Sequence, residues 1–466
     1  MLNANVEVPY HGFDAEELGD LTLIYAHYRV TGPLAEPATE ARTTGPGAIR
    51  RLKFGDRHFV FSPQSNEGDA PGAAGVVPMA GAMLEKADRL QHVGVDTIHL
   101  VTQEGRLFQQ RYPHIPVLLD ACRFLVVSAS PAEVAAIAVD GSQHFTITAV
   151  DGDDDVFDVC PCPSPRPQPD PAIERIVDRI SAVAIKADIV TLASYPTRNA
   201  VTQHYRDAAA WAEQRLKSLG YATSMPAFDI AANKMSPTGR SLNVVADRIG
   251  TAGGRRSLVI VSAHLDSVWA PPEHEPPNAL APAPGADDNA SGSAGVLEIA
   301  RVLSDVPIEH DLRFILFGGE EEGLLGSERY VDKLLPMRDR KRIVAVVNMD
   351  MIAVDNNGAS PNSVLLESGP VCRGIIAEMC TAAHTYTTLE VKTTLKPWNS
   401  DHVSFLKYGI PAVLVIEGDD SENHRIHMAA DSLDYIDPVL AQQILRLNTA
   451  YVASKLGVTA ASAVIG

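Results

Sequence analysis

The 466-residue chain is too long for one ordinary core and leaves room for two or three domains at roughly 150 residues each. Its 45% hydrophobic and 21% charged residues are the composition of a globular protein rather than a disordered one. With 39 basic against 58 acidic residues the formal charge is -19, which argues against nucleic acid as a partner, since a phosphate backbone needs a clustered basic surface.

No apolar run approaches the roughly 20 residues that span a bilayer, so no membrane span is expected. The opening stretch, Met1 to Tyr10, lacks the basic and apolar regions of a signal peptide. A cytoplasmic protein is the expectation, with secretion the alternative if a leader has been removed. The cysteines, Cys122, Cys160, Cys162, Cys372 and Cys380, are an odd number in a long chain and do not make a disulfide framework. Nothing in the sequence specifies an oligomeric state.

Residues 1–159 read as a small α+β domain of unassigned role. Short β-rich runs (Arg57–Phe61, Asp96–Val101, Arg123–Val127, His144–Thr148) surround a helix start at Ser130-Pro-Ala-Glu-Val, and Gln64–Gly81, rich in Gly, Ala and Pro, reads as a loop. Asp151-Gly-Asp-Asp-Asp155 imitates a calcium loop only superficially, because Val156 and Cys162 stand where such a loop needs glycine and glutamate. Residues 160–171 carry proline at nearly every second position and predict an extended linker. The Cys160-x-Cys162 pair within it has no second pair with which to hold zinc.

Residues 172–458 have a different pattern. Ala172–Ile180 and Tyr205–Leu219 show helical period, and then apolar strands alternate with helices: Leu258–Val261, a helix over Ser291–Leu303, Phe314–Phe317, the segment Gly326–Leu335, Val344–Met349, a helix over Val371–His384, and Ala412–Ile416. Uninterrupted apolar strands separated by helices predict an α/β three-layer sandwich with a largely parallel central sheet. In such sheets ligands gather beyond the carboxyl ends of the strands.

Five segments place metal ligands at or near those apolar stretches: His264-Leu-Asp266, Asp287-Asp288, Glu320-Glu321-Glu322, Asp350 and His427. Each has a plainer reading taken singly. A His-x-Asp at a strand end is often structural, and paired aspartates before Ser291 can cap a helix. A run of glutamates is usually a solvated face, although directly off a buried strand it is costly unless it meets a cation. Asp350 could be a lone satisfied acid, His424 is as readily plain surface, and Asp401-His402 after Asn399-Ser400 reads as a supporting polar network, with a helix cap the alternative. Together they say more. Two histidines with carboxylates suit zinc better than calcium or magnesium, which prefer all-oxygen shells. One zinc needs three protein ligands, so a set this rich in acids predicts two ions sharing a bridging acid, with a glutamate left over as base. Positions two apart on a strand face the same way, so Asp266 can accept from the His264 nitrogen turned away from the metal. Spacing alone does not say which aspartate bridges. The chain thus reads as a two-metal hydrolase; no phosphate-binding glycine loop or nucleophilic-serine elbow competes with that reading.

At these segments, and at Leu192-Ala-Ser-Tyr-Pro-Thr-Arg-Asn199, the chain resembles the secreted dizinc aminopeptidases of the leucyl-aminopeptidase type. That family also contains glutamate carboxypeptidase II, the glutaminyl cyclases and the noncatalytic transferrin receptor ectodomain. The resemblance covers about Ala172 to Leu456 and not the first third. It implies the zinc-exopeptidase sandwich and two Zn2+ per chain: His264 and Asp350 on one ion, Glu321 and His427 on the other, Asp288 bridging, Asp287 its neighbour, Glu320 the general base and Asp266 the orienter of the histidine. Glu320 would take a proton from the attacking water and return it to the leaving amine. Pro397 stands where some members place an oxyanion-stabilising tyrosine, which leaves that donor unassigned here.

The expected function is therefore removal of N-terminal, apolar residues from peptides. A zinc carboxypeptidase, amidase or peptide-processing hydrolase on the same scaffold is the alternative. A noncatalytic peptide-binding protein would be expected to have eroded ligands, and here all five and the base are present.

Overall fold

The computed structural model describes residues 17–18, 21–27, 50–55, 57–63, 98–140, 145–150, 153–271, 275–356 and 362–458. The chain divides into two compact units, Met1–Val159 and Cys160–Gly466. The expected loop at Gln64–Gly81 lies outside the described residues.

The first unit comprises β1 (Glu17–Leu18), β2 (Leu21–His27), β3 (Arg50–Phe54), β4 (Arg57–Pro63), β5 (Ile98–Gln103), α1 (Leu107–Arg111), β6 (Val117–Ala121), β7 (Phe124–Ser128), α2 (Pro131–Asp140), β8 (Phe145–Ala149) and β9 (Asp153–Val159). β6-β7-β5-β8 form an antiparallel sheet whose alternating side chains sort onto two faces. Ile98, Leu100, Phe124 and Val126 pack with Leu52 and Phe54 of β3, whereas Val101, Leu125 and Val127 pack with Phe108 of α1 and Ile137 of α2. The start of α2 is a capping box: the Glu133 carboxylate accepts from the Ser130 amide at 2.7 Å, and the Ser130 hydroxyl accepts from the Glu133 amide at 3.3 Å. Asp153–Asp155, part of the run rejected as a calcium loop, belongs to β9.

The second unit runs α3 (Pro171–Val177), α4 (Ala182–Ala193), α5 (Gln203–Ser218), β10 (Ala222–Ser224), β11 (Ala227–Ile230), β12 (Gly239–Leu242), β13 (Val244–Arg248), β14 (Leu258–His264), α6 (Ala290–Leu303), β15 (Asp311–Phe317), α7 (Leu325–Arg329), α8 (Met337–Arg340), β16 (Ile343–Met349), β17 (Ser363–Glu367), α9 (Arg373–Tyr386), β18 (Glu390–Thr394), α10 (His402–Leu406), β19 (Ala412–Glu417) and α11 (Pro438–Lys455). Within this unit the strand order is β18-β17-β19-β16-β14-β15-β13-β10. The central pairs β19–β16, β16–β14 and β14–β15 are parallel, while β13 and β10 continue antiparallel on one side and β17 joins β19 antiparallel on the other. The architecture is the three-layer sandwich with a mostly parallel sheet.

All seven residues of β14 are buried, as a strand covered on both faces requires. Val259, Val261 and Ala263 face the layer of α4, α5, α6 and α11, whereas Leu258 and Ile260 face Tyr330 and Phe405 across the sheet. β16 keeps the same sorting in spite of a one-residue bulge, in which Ile343 pairs with Leu258 and Ala345 with Val259, leaving Val344 unpaired and 38% exposed. α6 begins against the end of β16. Its N-cap Asn289 accepts from Gly292, whose missing side chain makes room: a Cβ there would stand 2.3 Å from the Asn289 oxygen and 2.8 Å from the Met349 carbonyl.

Candidate metal centre

The four central strands deliver the predicted residues to one edge of the sheet. His264 ends β14, Asp350 follows β16 directly, Glu320 and Glu321 come three and four residues after β15, and His427 lies ten residues beyond β19. Asp288 arrives from the other direction, just ahead of α6. Hydrogen bonds hold these ends in register: Leu265 donates to the Phe317 carbonyl at 2.8 Å, Asp350 to that of Val415 at 3.2 Å, and Ala270 to that of His427 at 3.0 Å.

The side chains converge. His264 Nε2 lies 3.2 Å from Asp288 Oδ1 and 3.1 Å from Asp350 Oδ1. His427 Nε2 lies 3.1 Å from Asp288 Oδ2 and 2.9 Å from Glu321 Oε2. One oxygen of Asp288 thus faces each histidine–acid pair, while its neighbour Asp287 accepts from the Ala353 amide and from Asn423, each at 3.0 Å. Glu320 is part-exposed, unlike buried Glu321. The remaining His264 nitrogen meets the Asp266 backbone carbonyl at 3.2 Å and the Asp266 carboxylate at 3.7 Å; that carboxylate also accepts from the Glu321 amide at 3.1 Å. Asp266 therefore couples the histidine's orientation to the Glu320–Glu321 turn.

The electrostatics of this edge call for a cation. Burial alone would keep both imidazoles neutral, yet Asp350, Glu320 and Asp288 raise His264 well above the usual histidine value, and Glu321 with Asp288 does the same to His427. Against the effect of burial, the two histidines hold Asp288 well below the ordinary carboxylate range. Burial and then Asp288 push Glu321 up to about 8. Burial also raises Glu320 well above its ordinary value; His264 opposes that rise, and the charges of Asp350, Asp401 and Glu321 add to it. Acids that cannot all ionise together, next to imidazoles that attract protons, are what a metal ion relieves when it displaces those protons. Among the described residues His264, Asp288 and Glu321 offer ligand atoms within 4.8 Å of one another, and Glu321 Oε1 is buried without a hydrogen-bond donor. The donor set fits zinc.

Support comes from residues far apart in sequence. A buried relay runs from Ser262 to Asn348 at 2.8 Å, from Asn348 to Ser400 at 3.0 Å, and from Ser400 to Asp350 Oδ2 at 2.7 Å. Ser400 ends that relay, whereas Asp401 and His402, the residues expected to form a supporting network, take no part in it; Asp401 is wholly buried, its carboxyl pushed up to about 7 by that burial. Asp431 accepts from the amides of Asp287 and Asp288 at 2.9 and 3.0 Å, and Ser236 donates to Glu322. Neither contact was foreseen, since each joins segments more than 80 residues apart. His424 is exposed surface, and so is Pro397. Met351 at φ 46°, Asn399 at φ 41° and His427 at φ 58° hold left-handed backbone without being glycine.

The profile of the family described as Peptidase family M28 matches residues 243–452. An aminopeptidase of Bacillus subtilis (strain 168) is 35% identical over 199 residues, 42% of this chain and 40% of its own length. A probable leucine aminopeptidase of Arthroderma benhamiae is 29% identical over 280 residues, 57% of this chain and 71% of its own. Among solved structures, a zinc aminopeptidase from Bacillus subtilis matches with TM-score 0.50 at 20% identity, covering 60% of this chain and 96% of that one. The LapA aminopeptidase of Legionella pneumophila matches with TM-score 0.51 at 18% identity, covering 78% and 99%; both likenesses are of fold. The matched region contains His264, Asp266, Asp288, Glu320, Glu321, Asp350 and His427, so the part of the chain that carries the candidate metal centre is the part that is similar to peptidase family M28.

Proposed function

We propose that the protein is a two-zinc aminopeptidase that hydrolyses the N-terminal bond of peptides, with a preference for apolar first residues. The observation that carries the two-ion reading is the orientation of Asp288, one carboxylate oxygen toward His264 and Asp350 and the other toward His427 and Glu321. His264 and Asp350 would hold one ion, Glu321 and His427 the second, and Asp288 both. Bound there, zinc would polarise the scissile carbonyl and acidify water. Glu320, part-exposed and beside the ligands, would take the proton from the attacking water and pass it to the leaving amine. Asp266 keeps His264 turned toward the ions.

Two measurements test the reading. Elemental analysis after gentle dialysis is expected to find about two zinc ions per chain, the number a shared-carboxylate site implies; reproducible saturation at one would sink the dinuclear assignment. A panel of aminoacyl and N-blocked peptides should show zinc-dependent hydrolysis only where the amino terminus is free. Cleavage of N-blocked substrates would favour the amidase or peptide-processing alternative instead.

For residues 1–159 we propose a role in access or folding rather than chemistry, since the ligand set lies wholly in the second unit. A chain beginning at Asp170 is expected to retain its metal and measurable hydrolysis, with altered solubility or substrate-size preference. A truncated protein that folds and binds metal but is inactive would place substrate-contacting residues in the first unit.

A further inference from the structure

We infer that Arg198, which supplies no ligand atom, is the positioning residue that fixes the separation of the His264 and Asp288 segments; the inference rests on the metal-site reading above. Its guanidinium is wholly buried, and its four hydrogen bonds all go to carbonyl oxygens. Nε donates to Leu265 at 2.8 Å, Nη2 to Gly285 at 2.9 Å, and Nη1 to Leu192 at 3.1 Å and to Pro284. Leu265 lies between His264 and Asp266, and Pro284 and Gly285 lead into Asp287 and Asp288. One planar fork thus ties the strand end that carries a histidine ligand to the loop that carries the bridging acid.

The backbone repeats the tie. The Arg198 amide donates to the Ser267 hydroxyl at 3.0 Å, and that hydroxyl donates to the Ala283 carbonyl at 2.8 Å. The loop is wrapped tightly on the side chain: at Gly285, φ 54°, a Cβ would come within 2.3 Å of the Asp288 carbonyl and 3.0 Å of Arg198 Nη2. A buried guanidinium without a contacting carboxylate is costly. Here the compensation is at longer range, for Asp431, Asp266, Asp288 and Glu321 counter the effect of burial, which brings the group down to about 10. A lysine could keep the charge but could not span three segments with one ammonium.

The test compares wild type with Arg198→Lys, Arg198→Met and Arg248→Met, measuring zinc affinity by chelator competition, the cobalt(II) absorption spectrum, and thermal unfolding of the metal-free protein. Arg248 is the control because it also donates to carbonyls, those of Leu303 and Val306, but past the far end of α6 from Asp288. Both Arg198 variants are expected to weaken zinc binding by roughly 10- to 100-fold, the usual effect of losing outer-shell support, and to shift the cobalt bands. Arg248→Met should lower the melting temperature and leave the zinc dissociation constant unmoved. Should Arg198→Met fail to fold, Arg198→Lys carries the comparison. Wild-type affinity and spectrum in the Arg198 variants would overturn the inference, as would equal weakening by Arg248→Met. A wild-type protein that bound no zinc would overturn the metal-site reading itself.

Discussion

Glu320→Gln is expected to lower turnover by roughly 10²- to 10⁴-fold, the range general acid–base catalysis contributes, while the zinc content stays at the wild-type value. The amide has the shape of the carboxylate but cannot accept the proton of the attacking water. The metal should remain because the close contacts at the site are made by His264, Asp288, Glu321, Asp350 and His427, and Glu320 makes none of them. Its exposure also distinguishes it: Glu321 is buried with its amide held by Asp266, whereas Glu320 is part-exposed. Near-normal turnover in a variant of full metal content would reassign base and ligand within Glu320–Glu322.

Asp288→Asn is expected to abolish measurable activity and strip metal as well, which separates it from the first variant. Asp288 contacts both imidazoles, and its charge is held by both. The carboxamide leaves one oxygen and turns an N–H donor toward the other imidazole or its ion. The loss of zinc affinity should exceed the roughly 10- to 100-fold that follows loss of a supporting hydrogen bond, measured by chelator competition beside elemental analysis. Full zinc content in a folded Asp288→Asn protein would remove the bridging role.

Much of this site is legible because three of its segments follow apolar strands closely, and strand followed by acid or histidine is a local pattern. The fold class came from the same runs. What escaped was non-local or weakly patterned. β10 to β13 are short and mixed in polarity, so their alternation does not rise above that of a loop. α11 has little helical amphipathicity to announce it, although Asp437-Pro438 is a good helix start, its carboxylate accepting from Val439 and Leu440. Arg198 and Asp431 could not be assigned from spacing at all: their partners are 67 to 144 residues away, apart from Leu192, and only folding brings them together. Asp287 and Asp288 could not be told apart on spacing for the same reason, and the two oxygens of Asp288 facing opposite histidines are what distinguish it from Asp287.

The order β19-β16-β14-β15 also makes the backbone a ruler. Neighbouring strands lie about 4.8 Å apart because their amide ladders demand it, and the proposed pair of ions sharing a carboxylate would sit about 3.5–4 Å apart. His264 and Asp350 leave adjacent strands and meet with little reach, while the outer contributions come in on a turn after β15 and a loop after β19. The width of the site is thus inherited from peptide hydrogen bonding, which side-chain substitution hardly alters. Divergence can then rewrite the turn and the loop, and with them the shape of the peptide accepted, without rescaling the distance across which the reacting groups work.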